Sequence, residues 1–321
     1  MQSKEISMKN KKILTSITQS LLLSTGLLLS LSAGLAIGYV GGLVKDQPVL
    51  TQKEMKDQIN NISQNSEVYF GSGEKLGTIN SELIRKTVSY EELGDNVKNA
   101  IIASEDSNFY SNSGVDIFAV IRASLSEVTG EKTTGGSTIT QQLVKNQLLD
   151  NSRSYERKAK EILLALRVDS HFSKNEILEN YLNVAPFGKN SLGQNISGIE
   201  TAAQGVFGIH SKDLNIAQAA YLVGFVQSPY RYTPFDSAGN IRPAGELQTG
   251  FERQQYVLER MLSNEFITKE QFEEAKKFDI KGAYTKQKYS EYTDYPYIRD
   301  EVTSSVAEIL AEQTAKKNNR E

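Results

Sequence analysis

A run of 24 uncharged residues, Leu21–Val44, constrains this chain more than any other feature. As an α-helix rising about 1.5 Å per residue it spans roughly 36 Å, enough to cross the hydrocarbon core of a bilayer. Lys11-Lys12 precede it and Lys45-Asp46 follow it. The positive-inside bias then places residues 1–20 in the cytoplasm and the remainder outside, a single-pass arrangement at the cell membrane. A cleaved signal peptide competes with this reading, with Ala33 and Gly34 near a cut. Its apolar core is usually only about 7–15 residues. The expectation is a cytoplasmic tail over 1–20, a transmembrane anchor over 21–44, a polar Asn/Gln-rich spacer over 45–66 and a folded body from residue 67.

That body is large enough to bury a sizeable core: 321 residues hold one large domain or two ordinary ones. Absence of cysteine and the presence of only His171 and His210 exclude disulfide frameworks and thiol catalysis and disfavour structural zinc. Residues 1–12 carry Lys4, Lys9, Lys11 and Lys12 against Glu5, so a total charge of −3 hides an acidic body. An acidic body argues against nucleic-acid binding, which wants a broad basic face. An anionic ligand must be met by a local cluster of bases.

Glu67–Ile79, with Gly71 and Gly73 in its middle, reads as a small hairpin, and strand signals almost vanish after it. Asn96–Ala103, Ile117–Leu125, Thr140–Leu149, Arg157–Val168, Lys174–Asn183, Leu214–Phe225, Arg253–Leu262 and Lys269–Phe278 have helical length or period. The fold class expected is mainly α. Ala159, Ile162, Leu163 and Leu166 are expected to form the buried stripe of their helix.

Two runs carry the chemistry. The first is Ala103-Ser104-Glu105-Asp106-Ser107-Asn108-Phe109, with Gly114 beyond it, and the second is the unbroken Gly135-Gly136-Ser137-Thr138-Ile139-Thr140-Gln141-Gln142-Leu143-Val144-Lys145-Asn146. In the second, Ser137 or Thr138 can cap the following helix. Gln141 and Lys145, four apart, share one helix face, as do Gln142 and Asn146, which readies Lys145 as a point charge for phosphate. Further on come Arg153-Ser154-Tyr155-Glu156-Arg157-Lys158-Ala159-Lys160-Glu161, Ile177–Asn183 and Gly198–Gly208. Spacing alone explains the Arg157/Glu161 pair about as well by a surface ion-pair ladder.

These five runs, in order over roughly residues 65–280, resemble the signature motifs of the peptidoglycan glycosyltransferases, the lipid II polymerases of bacterial wall synthesis. The resemblance implies a lysozyme-like fold with a large head lobe and a small membrane-associated jaw lobe, the domain running over 67–280. It gives Ile117–Leu125, otherwise an ordinary core helix, to the jaw. It implies Glu105 as the base and Glu161 as a second carboxylate, with Asp106, Phe109, Ser137, Thr138, Gln141, Gln142, Lys145, Asn146, Arg153, Arg157 and Lys158 around the substrate, Lys145 and Arg153 at its pyrophosphate. The family usually carries a histidine where this chain has Asn112, which hydrogen-bonds but does not titrate. A basic residue usual after the Phe-Gly of the fifth run is Ile209 here. Residues 281–321 resemble the connector of bifunctional penicillin-binding proteins. No Lys-Thr-Gly occurs, so the expectation is the N-terminal part of a longer protein without its transpeptidase domain.

The implied partners are lipid II, the growing glycan chain, the cell membrane and other wall-synthesis proteins. A divalent cation, magnesium or manganese, is compatible with carboxylates and phosphate, but no spacing demands a metal site. A muramidase would also use two carboxylates but has no use for a phosphate cluster. A non-catalytic scaffold would need none of these residues together.

Overall fold

The computed structural model describes residues 50–62, 67–69, 71–73, 75–78, 83–116, 136–150, 154–285 and 296–318, with scattered positions between 19 and 42 and at 119 and 122. The anchor expected over 21–44 and the jaw expected over 117–125 lie almost wholly outside these residues, as do Gly135 and Arg153. Among the described residues no helix is long and apolar enough to cross a membrane. The chain forms two compact units, Met1–Leu50 with Asn151–Leu163, and Thr51–Asp150 with Leu164–Glu321.

The second unit is mainly helical. Its α1 (Gln52–Asn60) opens with a capping box in which Thr51 accepts from the Glu54 N–H and Glu54 returns the bond. Met55 and Ile59 on one face of α1 are fully buried, so part of the expected spacer belongs to a packed body. Polar residues around two apolar positions hid this helix from the sequence pattern. β1 (Glu67–Tyr69) and β2 (Lys75–Thr78) form the expected antiparallel hairpin. A second sheet was not expected. β3 (Leu83–Arg85) pairs in parallel with β5 (Asn195–Ser197), which pairs in turn with the antiparallel β4 (Pro186–Lys189). Strands of three or four residues are too short to print an alternation.

The helices that hold the core are α2 (Asp95–Glu105), α3 (Ile139–Gln147), α5 (Lys174–Val184), α6 (Ile199–Phe207), α7 (Ile216–Phe225) and α9 (Ala244–Ser263). α4 (Tyr155–His171) contributes to both units. A short turn of helix, α8 (Pro229–Tyr232), starts with proline at its first position, and α10 (Lys269–Lys277) and α11 (Pro296–Asn318) follow. Nearly all of α7 is apolar, and every residue from Ala217 to Phe225 is buried, which makes it the central helix. Each large apolar side chain so buried contributes about 1.5–3 kcal/mol. α2 packs against α7 and α9, and its Val97, Ala100, Ile101, Ile102 and Ala103 are buried.

The fourth and fifth runs fix the chain that leads into α2. Asn183 accepts from the Val88 N–H at 3.0 Å and donates to the Val88 carbonyl at 2.8 Å. Thr201 accepts from the Lys86 N–H at 2.7 Å, and Glu179 from the Tyr90 N–H at 2.9 Å. These bonds satisfy backbone groups that have no strand partner, which gives the two runs a structural role.

Glu200, almost fully buried on α6, closes the same wall. It accepts from the Ser211 N–H at 2.9 Å, the Ser211 hydroxyl at 2.7 Å and Gln204 Nε2 at 2.6 Å, and pairs with His210 at 2.7 Å. Burial pushes its carboxyl up, and the Ser211 and His210 bonds outweigh it, so the net value is lowered. A lowered folded value contributes stability above the unfolded pKa that is lost as pH falls through the folded one. The parent's thermal midpoint should therefore drop on acidification from pH 6 to about 3, and Glu200→Gln, less stable at neutral pH, should lose less over that range. Equal losses in both proteins would remove Glu200 from this role.

Candidate active site

α2 ends where Asp106 leaves helical geometry, its N–H still bonded to the Ile102 carbonyl at 3.1 Å. A tight turn follows, held by the Phe109 N–H on the Asp106 carbonyl at 2.9 Å. Phe109 is fully buried, edge-on to Tyr110, with Lys174 Nζ 4.9 Å from its ring centroid. It anchors the turn from below.

Asp106 joins this turn to the next motif. Its carboxylate accepts from Asn112 Nδ2 at 2.9 and 3.1 Å and from the Ile139 N–H at 3.1 Å, at the start of α3. Burial pushes the Asp106 carboxyl above the usual range, while the Asn112 and Ile139 bonds and the Lys174 charge pull it back. Lys174 Nζ donates to the Asn112 backbone carbonyl at 2.8 Å and to its side-chain Oδ1 at 3.3 Å, and pairs with Asp169 at 2.5 Å. Asn112 thus bridges the acid and the lysine by hydrogen bonds, the part a non-titrating amide can play.

The α3 N-terminus is a full capping box. Thr138 accepts from the Gln141 N–H at 3.1 Å, Gln141 Oε1 accepts from the Thr138 N–H at 3.0 Å, and the Thr138 hydroxyl donates to the Gly114 carbonyl at 2.6 Å. Gln141 is fully buried in this cap. One residue on, Gln142 faces the first motif. Its Nε2 donates to Glu105 Oε2 at 3.0 Å, and its Oε1 accepts from the buried Tyr181 hydroxyl at 2.8 Å. Tyr181, pushed well above its ordinary value first by burial and then by Glu105 and Asp106, stays a donor. That donor fixes which end of the Gln142 amide meets the carboxylate.

The other oxygen of Glu105 is held from α9. Arg253 Nη2 lies 2.9 Å from Glu105 Oε1, and Arg260 Nε donates to the Ala103 carbonyl at 3.1 Å, capping α2. These residues border a groove of about 1210 Å³ in the second unit. Glu105, Asp106, Ser137, Thr138, Gln142 and Lys145 line it, so both first runs converge on one cavity. Arg122, Arg231, Arg253 and Arg260 add positive charge, against Asp116 and Glu252. The arginines were missed in the sequence because all four fall outside the five runs. Phe109 and Gln141 do not line the groove, and Asn146 is exposed near the end of α3.

The third run stands in the first unit. Glu161 is 2% exposed, paired with Lys158 and with Arg157 Nη1 at 3.8 Å, while the buried Arg157 Nε has no hydrogen-bond partner among the described residues. A carboxylate buried among bases is more than a solvated ladder. The expected apolar stripe is corrected: Ala159, Ala165 and Val168 are buried, whereas Leu163 and Leu166 are 36% and 40% exposed. Among the described residues no three His, Cys, Asp or Glu side chains form a group that could hold a metal ion.

The groove thus sets the held carboxylates of Glu105 and Asp106 beside several bases. Residues 72–262 match the transglycosylase family. Penicillin-binding protein 1A of Aquifex aeolicus (strain VF5) is 39% identical over 244 residues, covering 76% of this chain and 31% of that protein. Penicillin-binding protein 1A of Clostridium perfringens (strain 13 / Type A) is 37% identical over 255 residues, 78% of this chain and 36% of that one. Penicillin-binding protein 2a of Streptococcus pneumoniae (strain ATCC BAA-255 / R6) is 33% identical over 272 residues, 84% and 34%. The solved Penicillin-Binding Protein 1A from Haemophilus influenzae aligns at a TM-score of 0.41 with 20% identity, over 79% of this chain and 25% of that one. The chain belongs to the transglycosylase family, whose enzyme class is peptidoglycan glycosyltransferase. It spans about a third of the length of the curated relatives it matches.

Proposed function

We propose that this domain polymerises lipid II into β-1,4-linked glycan strands at the outer face of the cell membrane. The observation that carries the proposal is Glu105: a carboxylate at the wall of the groove, its two oxygens bonded to Gln142 and Arg253, in one cavity with Lys145. Glu105 takes the proton of the acceptor GlcNAc 4-hydroxyl as that oxygen attacks C1 of the lipid-linked MurNAc. The new C1–O bond forms on the face opposite the leaving group, the old C1–O bond breaks with inversion, and undecaprenyl pyrophosphate departs with the electron pair. Lys145 meets the charge that grows on it, and the resemblance of the third run gives Arg153 the same task. Ser137, Thr138 and Gln142 orient the substrate in the groove, with Asp106 holding the wall between the two runs. Glu161, with Arg157 and Lys158, is the second carboxylate, orienting the substrate's charged end.

The uncharged run Leu21–Val44 supports a single-pass anchor with the N-terminus cytoplasmic, which keeps the groove near a lipid-linked substrate. The head and jaw division, with the jaw at the membrane, belongs to the same reading.

Labelled lipid II incubated with the protein should give glycan ladders on a gel, while finished glycan strands stay intact. Lys145→Ala should lower turnover about 10–100-fold and weaken binding of pyrophosphate-bearing ligands in parallel, because it removes a charge already engaged before the reaction. Sugars released from finished strands, with lipid II untouched, would replace the polymerase by a hydrolase.

A further inference from the structure

Arg253 stands apart from the residues of the signature runs. It lies 148 positions from Glu105 in sequence, yet its Nη2 is 2.9 Å from Glu105 Oε1, and the two side chains are only 13% and 12% exposed. Its guanidinium also lies over the Tyr256 ring, 4.4 Å from carbon Cζ to the centroid, within cation–π range. Its Nε is buried without a hydrogen-bond partner among the described residues. A guanidinium placed for its own hydrogen bonds would not leave a buried donor unused. Among the described residues its one hydrogen bond goes to Glu105, with the Tyr256 ring packed against its plane.

The packing of α7 on α9 makes the room. A Cβ at Gly224 would stand 3.0 Å from Arg253 Cγ, so the glycine is a notch through which the arginine stem passes toward α2. α7 is otherwise a buried helix of larger side chains, where a glycine is unfavourable by about 0.5–1 kcal/mol relative to alanine. The notch accounts for it. Opposite, the Tyr181–Gln142 chain holds Oε2 of the same carboxylate. Glu105 is thus gripped at both oxygens, from α3 on one side and α9 on the other.

We propose that Arg253, seated in the Gly224 notch, is the positioning residue that aims the Glu105 carboxylate at the acceptor hydroxyl. This rests on Glu105 being the base. A carboxylate held at one oxygen only can rotate, and displacements near 1 Å at a reacting centre cost about 10²-fold in rate.

The test is steady-state polymerisation of lipid II by the full chain, with thermal midpoints measured alongside. Arg253→Gln should lower kcat about 10–100-fold while KM for lipid II stays within about threefold. Arg253→Lys, which keeps a charge that can reach the carboxylate, should recover much of the loss. Gly224→Ala, which touches no substrate, should show the same kcat-only signature at about 3–10-fold. Adding Arg253→Gln to Glu105→Gln should cost nothing further, since the residue acts through the base. A KM increase above about tenfold with kcat kept would make Arg253 a substrate ligand instead and overturn the proposal, as would additive losses in the double variant. Should Arg253→Gln fail to fold, the lysine and Gly224→Ala variants decide by the same split. An inert Glu105→Gln beside an unaffected Arg253→Gln ends this inference alone, whereas Glu105→Gln at the parental rate ends the base assignment itself.

Discussion

Glu105→Gln should leave lipid II binding intact and reduce polymerisation about 10²–10⁴-fold, the range typical of losing a general base. Glutamine keeps the size of the side chain and an acceptor for Gln142 Nε2 or Arg253, so the walls of the groove have little reason to move. What it loses is the capacity to accept a proton. The same substitution leaves Arg253, 13% exposed, without its ionic partner, which costs stability as well as rate. For that reason the thermal midpoint belongs in the experiment: a stable, substrate-binding, inactive variant isolates the chemical step. Binding is read by the retention of labelled lipid II, turnover by polymer length on a gel. A variant that polymerises at the parental rate would show that the proton leaves by another route.

What the sequence disclosed about this site was its local part. Gly136–Asn146 reads as a capped helix start because Thr138 and Gln141 are three residues apart, and a capping box is what they form. Phe109 and Gln141 show where such reading stops. Their positions in the runs imply substrate contact, yet both are fully buried, one under the turn and the other inside the cap. A short motif cannot say which of its residues face the ligand and which hold the ones that do. Arg253 marks the opposite gap: α9 was legible as a helix only from 253 to 262, whereas it runs Ala244–Ser263, and nothing local tells a groove arginine from a solvated one. The exposed Leu163 and Leu166 carry the same lesson, since helical period predicts a face but not what covers it. Short strands β3 to β5 were invisible because their partners are distant: Ile84 pairs with Ile196 across 112 residues of chain.

Gly114→Ala should be the most damaging single change to the frame of the groove. Gly114 has φ +84°, a conformation that costs a residue with a Cβ about 1–3 kcal/mol. The added carbon would also sit 2.5 Å from the Ala165 carbonyl oxygen and 2.8 Å from Asp169 Cβ. Neither neighbour can yield cheaply, because Ala165 is helix backbone and Asp169 is tied to Lys174 at 2.5 Å. Overpacking of this kind costs about 1–3 kcal/mol more. Both ends of the glycine are engaged as well: its N–H donates to Asn112 Oδ1 at 2.9 Å and its carbonyl accepts from Thr138 at 2.6 Å. Any shift therefore reaches the Asn112–Asp106 link and the α3 cap together, and through α3 the Gln142 contact to Glu105. A combined loss of about 3–5 kcal/mol should lower the thermal midpoint by roughly 8–15 °C for a domain of this size. Gly245→Ala provides the contrast, since nothing lies within 4 Å of a Cβ there and α9 would gain a better helix former worth up to about 1 kcal/mol. Circular dichroism melts of the two variants beside the parent decide the matter. A Gly114→Ala midpoint within about 2 °C of the parent would mean that the turn between the two runs is slack, and that α3 is held in place by something other than this glycine.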